Sequence, residues 1–121
     1  MLSGKVWGRT ELMLRTPFIE VHRLTILPNT RCSMHAHLLK WNAFLVLDGV
    51  LKIEVRKKAY DLTDVTTLGP GDFTTVPPGE FHRFISVDKP VKAFEIYYPH
   101  ELSEDIVRKD VGGLAAEGEA S

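Results

Sequence analysis

The sequence predicts an all-β domain, a sandwich or barrel of about eight short strands. Three observations carry this expectation. Apolar and β-branched runs recur along most of the 121 residues, turn residues punctuate them at short intervals, and helical periodicity is nearly absent. "FIEVHRLTIL" (Phe18–Leu27) is β-branched and partly alternating, and "PNT" breaks it. "RCSMHAH" (Arg31–His37) reads as the next strand, followed by "NAFLVL". Asp48-Gly49 then predicts a two-residue hairpin into "VLKIEVR", because that turn needs positive φ at both central positions. The basic triplet Arg56-Lys57-Lys58 reads as a solvated hairpin end rather than a phosphate tract. "DVTTL", the turn Gly69–Asp72, "FTTV", the turn Pro77–Glu80, "FHRFISV" and "VKAFEIYY" complete the strands. "SEDIVRK" (Ser103–Lys109) predicts a short C-terminal helix or turn, with Ser103 as N-cap, acids first and bases last. "GGLAAEGEAS" is small, polar and Gly-rich, so residues 1–111 read as one domain and residues 112–121 as a flexible tail.

Bulk composition narrows the function classes. With 44% hydrophobic and 26% charged residues and a net charge of −1, no basic field argues for nucleic acid and no polybasic run argues for a membrane partner. The single cysteine, Cys32, excludes an intrachain disulfide framework and fits a reducing compartment. "MLSGKVWGRT" lacks the apolar core of a signal peptide, and no run approaches the ~18 apolar residues of a membrane span. A cytoplasmic setting is the expectation.

Histidines carry the first chemical signal. On a strand, His35 and His37 point to one side and form half of a site for a first-row divalent metal. A His-x-His pair alone is weak and needs a third ligand; His82, after a short strand bracketed by turns, is the candidate. His22 and His100 read as structural or exposed. Strand parity places Cys32 on the face opposite His35, and Glu80 would need an unusual reach. Arg31 shares parity with the two histidines and is an option for a phosphate. Counting from Asn42 and His82 as inward, Phe44, Val46, Phe84 and Ser86 also face in, while Trp41 reads as packing. On the last strand Glu95 and Tyr97 share a face. If it is the inner one, Glu95 is a catalytic acid or base and Tyr97 a hydrogen-bond donor; facing solvent or a partner subunit is equally open.

The spacing of these residues resembles the two motifs of the cupins. The first reads Gly, five residues, His-x-His, four residues, Glu, six residues, Gly; here it is Asn29, His35-x-His37, Asn42 and Gly49 at the same spacing. The second reads Gly, five residues, Pro-x-Gly, two residues, His, three residues, Asn; here it is Gly71, Pro77-x-Gly79, His82 and Ser86. The resemblance implies a cupin double-stranded β-helix, a jelly-roll-like barrel. It also implies a divalent transition metal (Zn, Mn, Fe or Ni) on His35, His37 and His82. Asn42 stands where the family has its carboxylate ligand, and its amide oxygen is an optional fourth donor. A wholly neutral donor set leaves the ion's charge uncompensated and favours anionic ligands.

The ends carry a second resemblance. "KVWG" (Lys5–Gly8) and "SEDIVRKDVGG" (Ser103–Gly113) are similar to the opening and closing segments of the cupin domain in type II mannose-6-phosphate isomerases. That likeness implies proton transfer through an enediol on a small polar substrate, a sugar or sugar phosphate. Three readings stay open: a metal-dependent isomerase-like enzyme, a metal-dependent oxygenase, and a non-catalytic barrel that binds a small carbohydrate or anion. Exposed sheet edges predict a homodimer formed through the N-terminal strand.

Overall fold

The computed structural model describes residues 2–57, 59–99, 107–109 and 111–114, and its regular elements are nine strands. They are β1 (Leu2–Lys5), β2 (Gly8–Arg15), β3 (Glu20–Ile26), β4 (Trp41–Asp48), β5 (Leu51–Lys57), β6 (Leu62–Leu68), β7 (Phe73–Val76), β8 (Phe81–Ser86) and β9 (Val91–Tyr98). All pairing is antiparallel, in a six-stranded sheet of order β1-β2-β3-β9-β4-β7 and a three-stranded sheet of order β6-β5-β8. This is the jelly-roll barrel expected of the motifs.

Alternation decides which side chains fill it. Along β4, Asn42, Phe44 and Val46 are buried while Trp41, Ala43 and Leu45 are only partly covered. The same period buries Leu51, Ile53 and Val55 on β5, His82, Phe84 and Ser86 on β8, and Val91, Ala93 and Glu95 on β9. The core is therefore apolar at one end and polar at the other, where Asn42, His82 and Glu95 replace aliphatic side chains. Ser86 serves the fold: its hydroxyl donates to Leu27 O and accepts from Thr30 N, closing the turn in which Asn29 takes φ 55°.

The structure departs from the expected elements in four places. Asp48-Gly49 is a corner between the sheets, not a hairpin, since β4 pairs with β7 and β9 whereas β5 pairs with β6 and β8. Gly49 alone takes positive φ there, 86°, and a Cβ on it would lie 2.5 Å from Pro90 O. The close approach, rather than a tight turn, demands the glycine. "RCSMHAH" is not a continuous strand. It touches β8 through isolated bridges, Arg31 to Ile85 and His35 to His82, and the register slips by one residue between them. A hairpin not read from the sequence, β1–β2, extends the large sheet. Finally, residues 103–106 of the expected helix and residues 115–121 of the expected tail lie outside the described residues; Val107–Lys109 are irregular, and Val111–Leu114 are exposed. No helix among the described residues is long and apolar enough to cross a membrane.

Candidate metal centre

His35, His37 and His82 meet at the polar end of the core, with one ring nitrogen of each within 4.8 Å of the others. Two separate devices bring them together. The bridge between His35 and His82 is a reciprocal backbone pair, His35 N to His82 O at 3.0 Å and His82 N to His35 O at 2.8 Å. The Pro77–Glu80 turn then holds His37, because Gly79 N donates to His37 O at 2.8 Å while Gly79 takes φ 85°.

Hydrogen bonding sets the tautomers. A carbonyl oxygen can only accept, so His35 Nδ1–H donates to Ser33 O at 2.8 Å and His82 Nδ1–H donates to Glu80 O at 3.0 Å. In both rings this leaves the Nε2 lone pair facing the centre. Nε2 of His37 is buried without a hydrogen-bond partner. Burial, reinforced by repulsion from His35 and His82, lowers the His37 pKa to about 4, and burial also lowers that of His82. His37 and His82 are thus held toward the neutral form, which is the state a divalent ion requires of imidazole ligands, and all three rings converge on one point.

Asn42 completes the arrangement. Its Oδ1 lies 2.8 Å from His82 Nε2, and its Nδ2 donates to Ile96 O at 3.4 Å. With the His82 proton on Nδ1, two acceptors face one another, which is unfavourable unless a cation lies against both. Donors each about 2.1 Å from one ion at a right angle stand ~3 Å apart, close to the observed spacing. The donor set thus fits a divalent transition metal, with His35, His37, His82 and the Asn42 oxygen as the atoms that would hold it.

Beside this point opens a cleft of about 400 Å³, lined by His35 and His37, with His82 and Asn42 buried behind its wall. Glu95 and Tyr97 both line it, so the polar face of β9 is the inner one. Burial pushes the Glu95 carboxyl above the usual carboxylate range, against the pull of hydrogen bonds from the Tyr97 and Asn42 side chains. Burial likewise raises the Tyr97 phenol, and the neighbouring Glu95 adds to the shift. On the next strand His22, the register partner of Glu95, bonds through Nε2 to Glu20 Oε2 at 2.9 Å. That bond and the Arg15 guanidinium hold the Glu20 carboxyl below its ordinary range. Lys5 and Lys40 supply positive charge at the cleft, Lys40 with its Nζ 4.7 Å from the Tyr97 ring centroid.

Two expected placements change, those of Cys32 and His22. Cys32 lies on the histidine side, because the register slip puts both Cys32 and His35 opposite inward residues of β8. Its Sγ accepts from Phe84 N, and burial pushes the thiol up to about 11, so it is an inert wall rather than a ligand. Arg31 is exposed and does not line the cleft. Glu80 contributes its carbonyl, while its carboxylate pairs with Lys57 at 2.9 Å. Trp41 stacks on Tyr98. His22 belongs to the cleft, and His100 lies outside the described residues. Lys5, Trp7, Thr10, Glu20 and Lys40 were not read as site residues. The "KVWG" stretch was the one available signal for the first two; Trp7 packs edge-on against Phe84 at 4.8 Å.

Comparison with known proteins places the chain among relatives. The family model described as the cupin domain matches residues 22–97. The mannose-1-phosphate guanylyltransferase of Klebsiella pneumoniae is 28% identical over 100 residues, covering 82% of this chain and 20% of that protein. The chain thus spans only about a fifth of that relative's length. Among solved structures, KdgF from Halomonas sp. superposes with a TM-score of 0.71 at 14% identity, covering 84% of this chain and 89% of that one. The capsular polysaccharide assembling protein CapF from Staphylococcus aureus gives 0.73 at 17% identity, covering 85% of this chain and 29% of that one. At such identities the likeness is one of fold.

Proposed function

The chain belongs to the cupin family, and we propose that it holds a divalent transition metal on His35, His37 and His82 and acts on a small sugar phosphate by isomerase-like proton transfer. The observation that carries the metal is the buried, partnerless His37 Nε2 beside two rings whose Nδ1–H groups are committed to backbone carbonyls. Four neutral donors leave the charge of the ion to be balanced by its ligand, and Lys5 and Lys40 add positive charge at the same cleft. An anionic substrate meets both conditions. The cleft volume suits a small polyhydroxylated molecule, and the K. pneumoniae relative is named for a mannose phosphate.

When bound, the metal supplies Lewis-acid polarisation of a substrate oxygen. The chain's own residues supply the rest. Glu95, kept above the ordinary carboxylate range by burial, is suited both to accept and to return a proton, as movement of a proton between adjacent sugar carbons requires. The Tyr97 hydroxyl and the Asn42 amide donate to Glu95 and fix its orientation. Lys5 and Lys40 attract and orient the phosphate, and Trp7 walls the cleft against water. Absence of a disulfide is consistent with a cytoplasmic setting.

The test combines metal analysis with exchange. Purified protein loaded in turn with Zn, Mn, Fe and Ni should retain one equivalent of at least one ion, and His82→Ala should lose it. The loaded protein in D2O should incorporate deuterium at C2 of mannose 6-phosphate while forming the ketose, and Glu95→Gln should stop incorporation without releasing metal. Failure to retain any of the four ions would end the metal reading. Tight binding of the sugar phosphate with no exchange would replace catalysis by simple carbohydrate binding.

A further inference from the structure

Interconversion of an aldose and a ketose moves two protons, and Glu95 accounts for one of them, the hydrogen that passes from C2 to C1. A hydroxyl proton must also pass from O2 to O1, which needs a second group able to accept a proton and give it back. Most polar side chains of the cleft are otherwise engaged. Cys32 Sγ accepts from Phe84 N, and the Tyr97 hydroxyl donates to Glu95. The ammonium groups of Lys5 and Lys40 have no lone pair to offer. Among the described residues, His22 is the one cleft imidazole that stands outside the metal cluster.

A chain of contacts orders its ring. Arg15 Nε donates to Glu20 Oε1 at 2.6 Å, which leaves Oε2 for His22 Nε2 at 2.9 Å. Glu20 is held below the ordinary carboxylate range by His22 first and then by Arg15, so it accepts, and the imidazole proton stands on Nε2. Tyr97 packs edge-on against the ring, with centroids 5.9 Å apart. The free lone pair is then on Nδ1, to which the described residues offer no hydrogen bond. One edge of the ring can accept a proton from substrate, while the carboxylate on the other edge balances the imidazolium that forms. His22 and Glu95 are also direct register partners on β3 and β9, and both line the cleft. Such partners have Cβ atoms about 5 Å apart, within reach of two adjacent carbons and their oxygens. Resting on the isomerase-like reading, we propose that His22, held by Glu20, is a second catalytic residue of this cleft and carries the hydroxyl proton between O2 and O1. As Glu95 takes the C2 proton, the C2–H pair forms the C1–C2 double bond and the carbonyl pair moves onto O1. The O2–H bond then breaks to Nδ1, and the new Nδ1–H bond breaks to O1, which leaves the negative charge on O2. As O2 becomes the carbonyl oxygen, the double-bond pair takes the Glu95 proton at C1, and the imidazole ends as it began.

Deuterium partitioning tests it on the full chain, loaded with the ion that it retains. In D2O the wild type should convert mannose 6-phosphate to the ketose and also return deuterium to C2 of the recovered aldose. His22→Gln should lower ketose formation by about 100-fold or more, the usual weight of a lost acid-base group. Exchange at C2 needs only Glu95 and should fall by no more than about tenfold, so the ratio of exchange to conversion should rise at least about tenfold. A loss of structure alone would lower both together. Glu20→Gln should move the ratio in the same direction by about threefold or more, since the imidazolium loses its counter-charge. Both positions are partly exposed, and both variants should unfold cooperatively and keep the ion. An unchanged ratio in His22→Gln, or ketose formation within about threefold of the wild type, would overturn the proposal and leave the isomerase reading standing. A wild type that retains the ion yet neither exchanges nor converts would overturn both.

Discussion

Replacing Asn42 with aspartate changes the charge of the centre while barely changing its shape. The Asn42 oxygen already stands 2.8 Å from His82 Nε2, the separation expected of neighbouring donors on one ion. An aspartate oxygen would occupy the same place and bring a negative charge. Without metal that charge is buried at a site 1% exposed, against Glu95, to which the Asn42 amide now donates. An uncompensated buried charge costs about 3 kcal/mol. For a domain of this size that corresponds to a fall of roughly 12 °C in Tm. With metal the same charge meets its counterpart, and affinity should rise at least about tenfold, or ~1.4 kcal/mol. Thermal unfolding with and without chelator, together with calorimetric titration of the retained ion, reads both effects. The reasoning fails if metal-free Asn42→Asp melts within about 2 °C of the wild type or binds the ion no more tightly.

Three further outcomes follow from single features. Gly49→Ala places a Cβ 2.5 Å from Pro90 O at φ 86°, and should lower unfolding free energy by about 3 kcal/mol in denaturant titration. Cys32, with its thiol pushed to about 11 against an ordinary 9.0, should be alkylated by iodoacetamide at about pH 8 roughly 100-fold more slowly than in the unfolded chain. Long-range proton–nitrogen NMR of metal-free protein at mildly alkaline pH should find the proton on Nδ1 in both His35 and His82, where Ser33 O and Glu80 O accept it; Nε2–H in either ring would contradict the lone-pair arrangement.

The sequence disclosed local features well and register poorly. Gly71 and Gly79 sit at positive φ as their Pro-Gly contexts suggest, and Asn29 takes the left-handed conformation in place of glycine. These are properties of one residue and its neighbours. The slip between Arg31 and His35 is not, because it exists only in the pairing with β8, and it moves Cys32 to the histidine side. Nor could parity alone choose the inner face of β9. The pairing of Asn42 with Tyr97 and of Phe44 with Glu95 makes that choice, by aligning polar residues with strands whose inward set was already known. The β1–β2 hairpin escaped notice because "GRTELMLR" is a weak strand by composition, held by its pairing with β3 and by the Glu11–Arg23 ion pair. With it went Lys5, Trp7 and Thr10 as cleft residues.

The contacts that build the centre also set when it comes into being. His82 and Asn42 are 40 residues apart, and the Ser86–Leu27 bond that closes the neighbouring turn spans 59. Such long loops close slowly, and jelly-roll topologies of this kind fold in milliseconds to seconds rather than microseconds. No stretch shorter than the whole span from His35 to His82 holds the three imidazoles together. An arriving ion consequently has nothing to grip until the barrel has shut. Its effect should fall on how slowly the finished protein opens rather than on how quickly it forms, so metal status is a determinant of lifetime, not of folding yield.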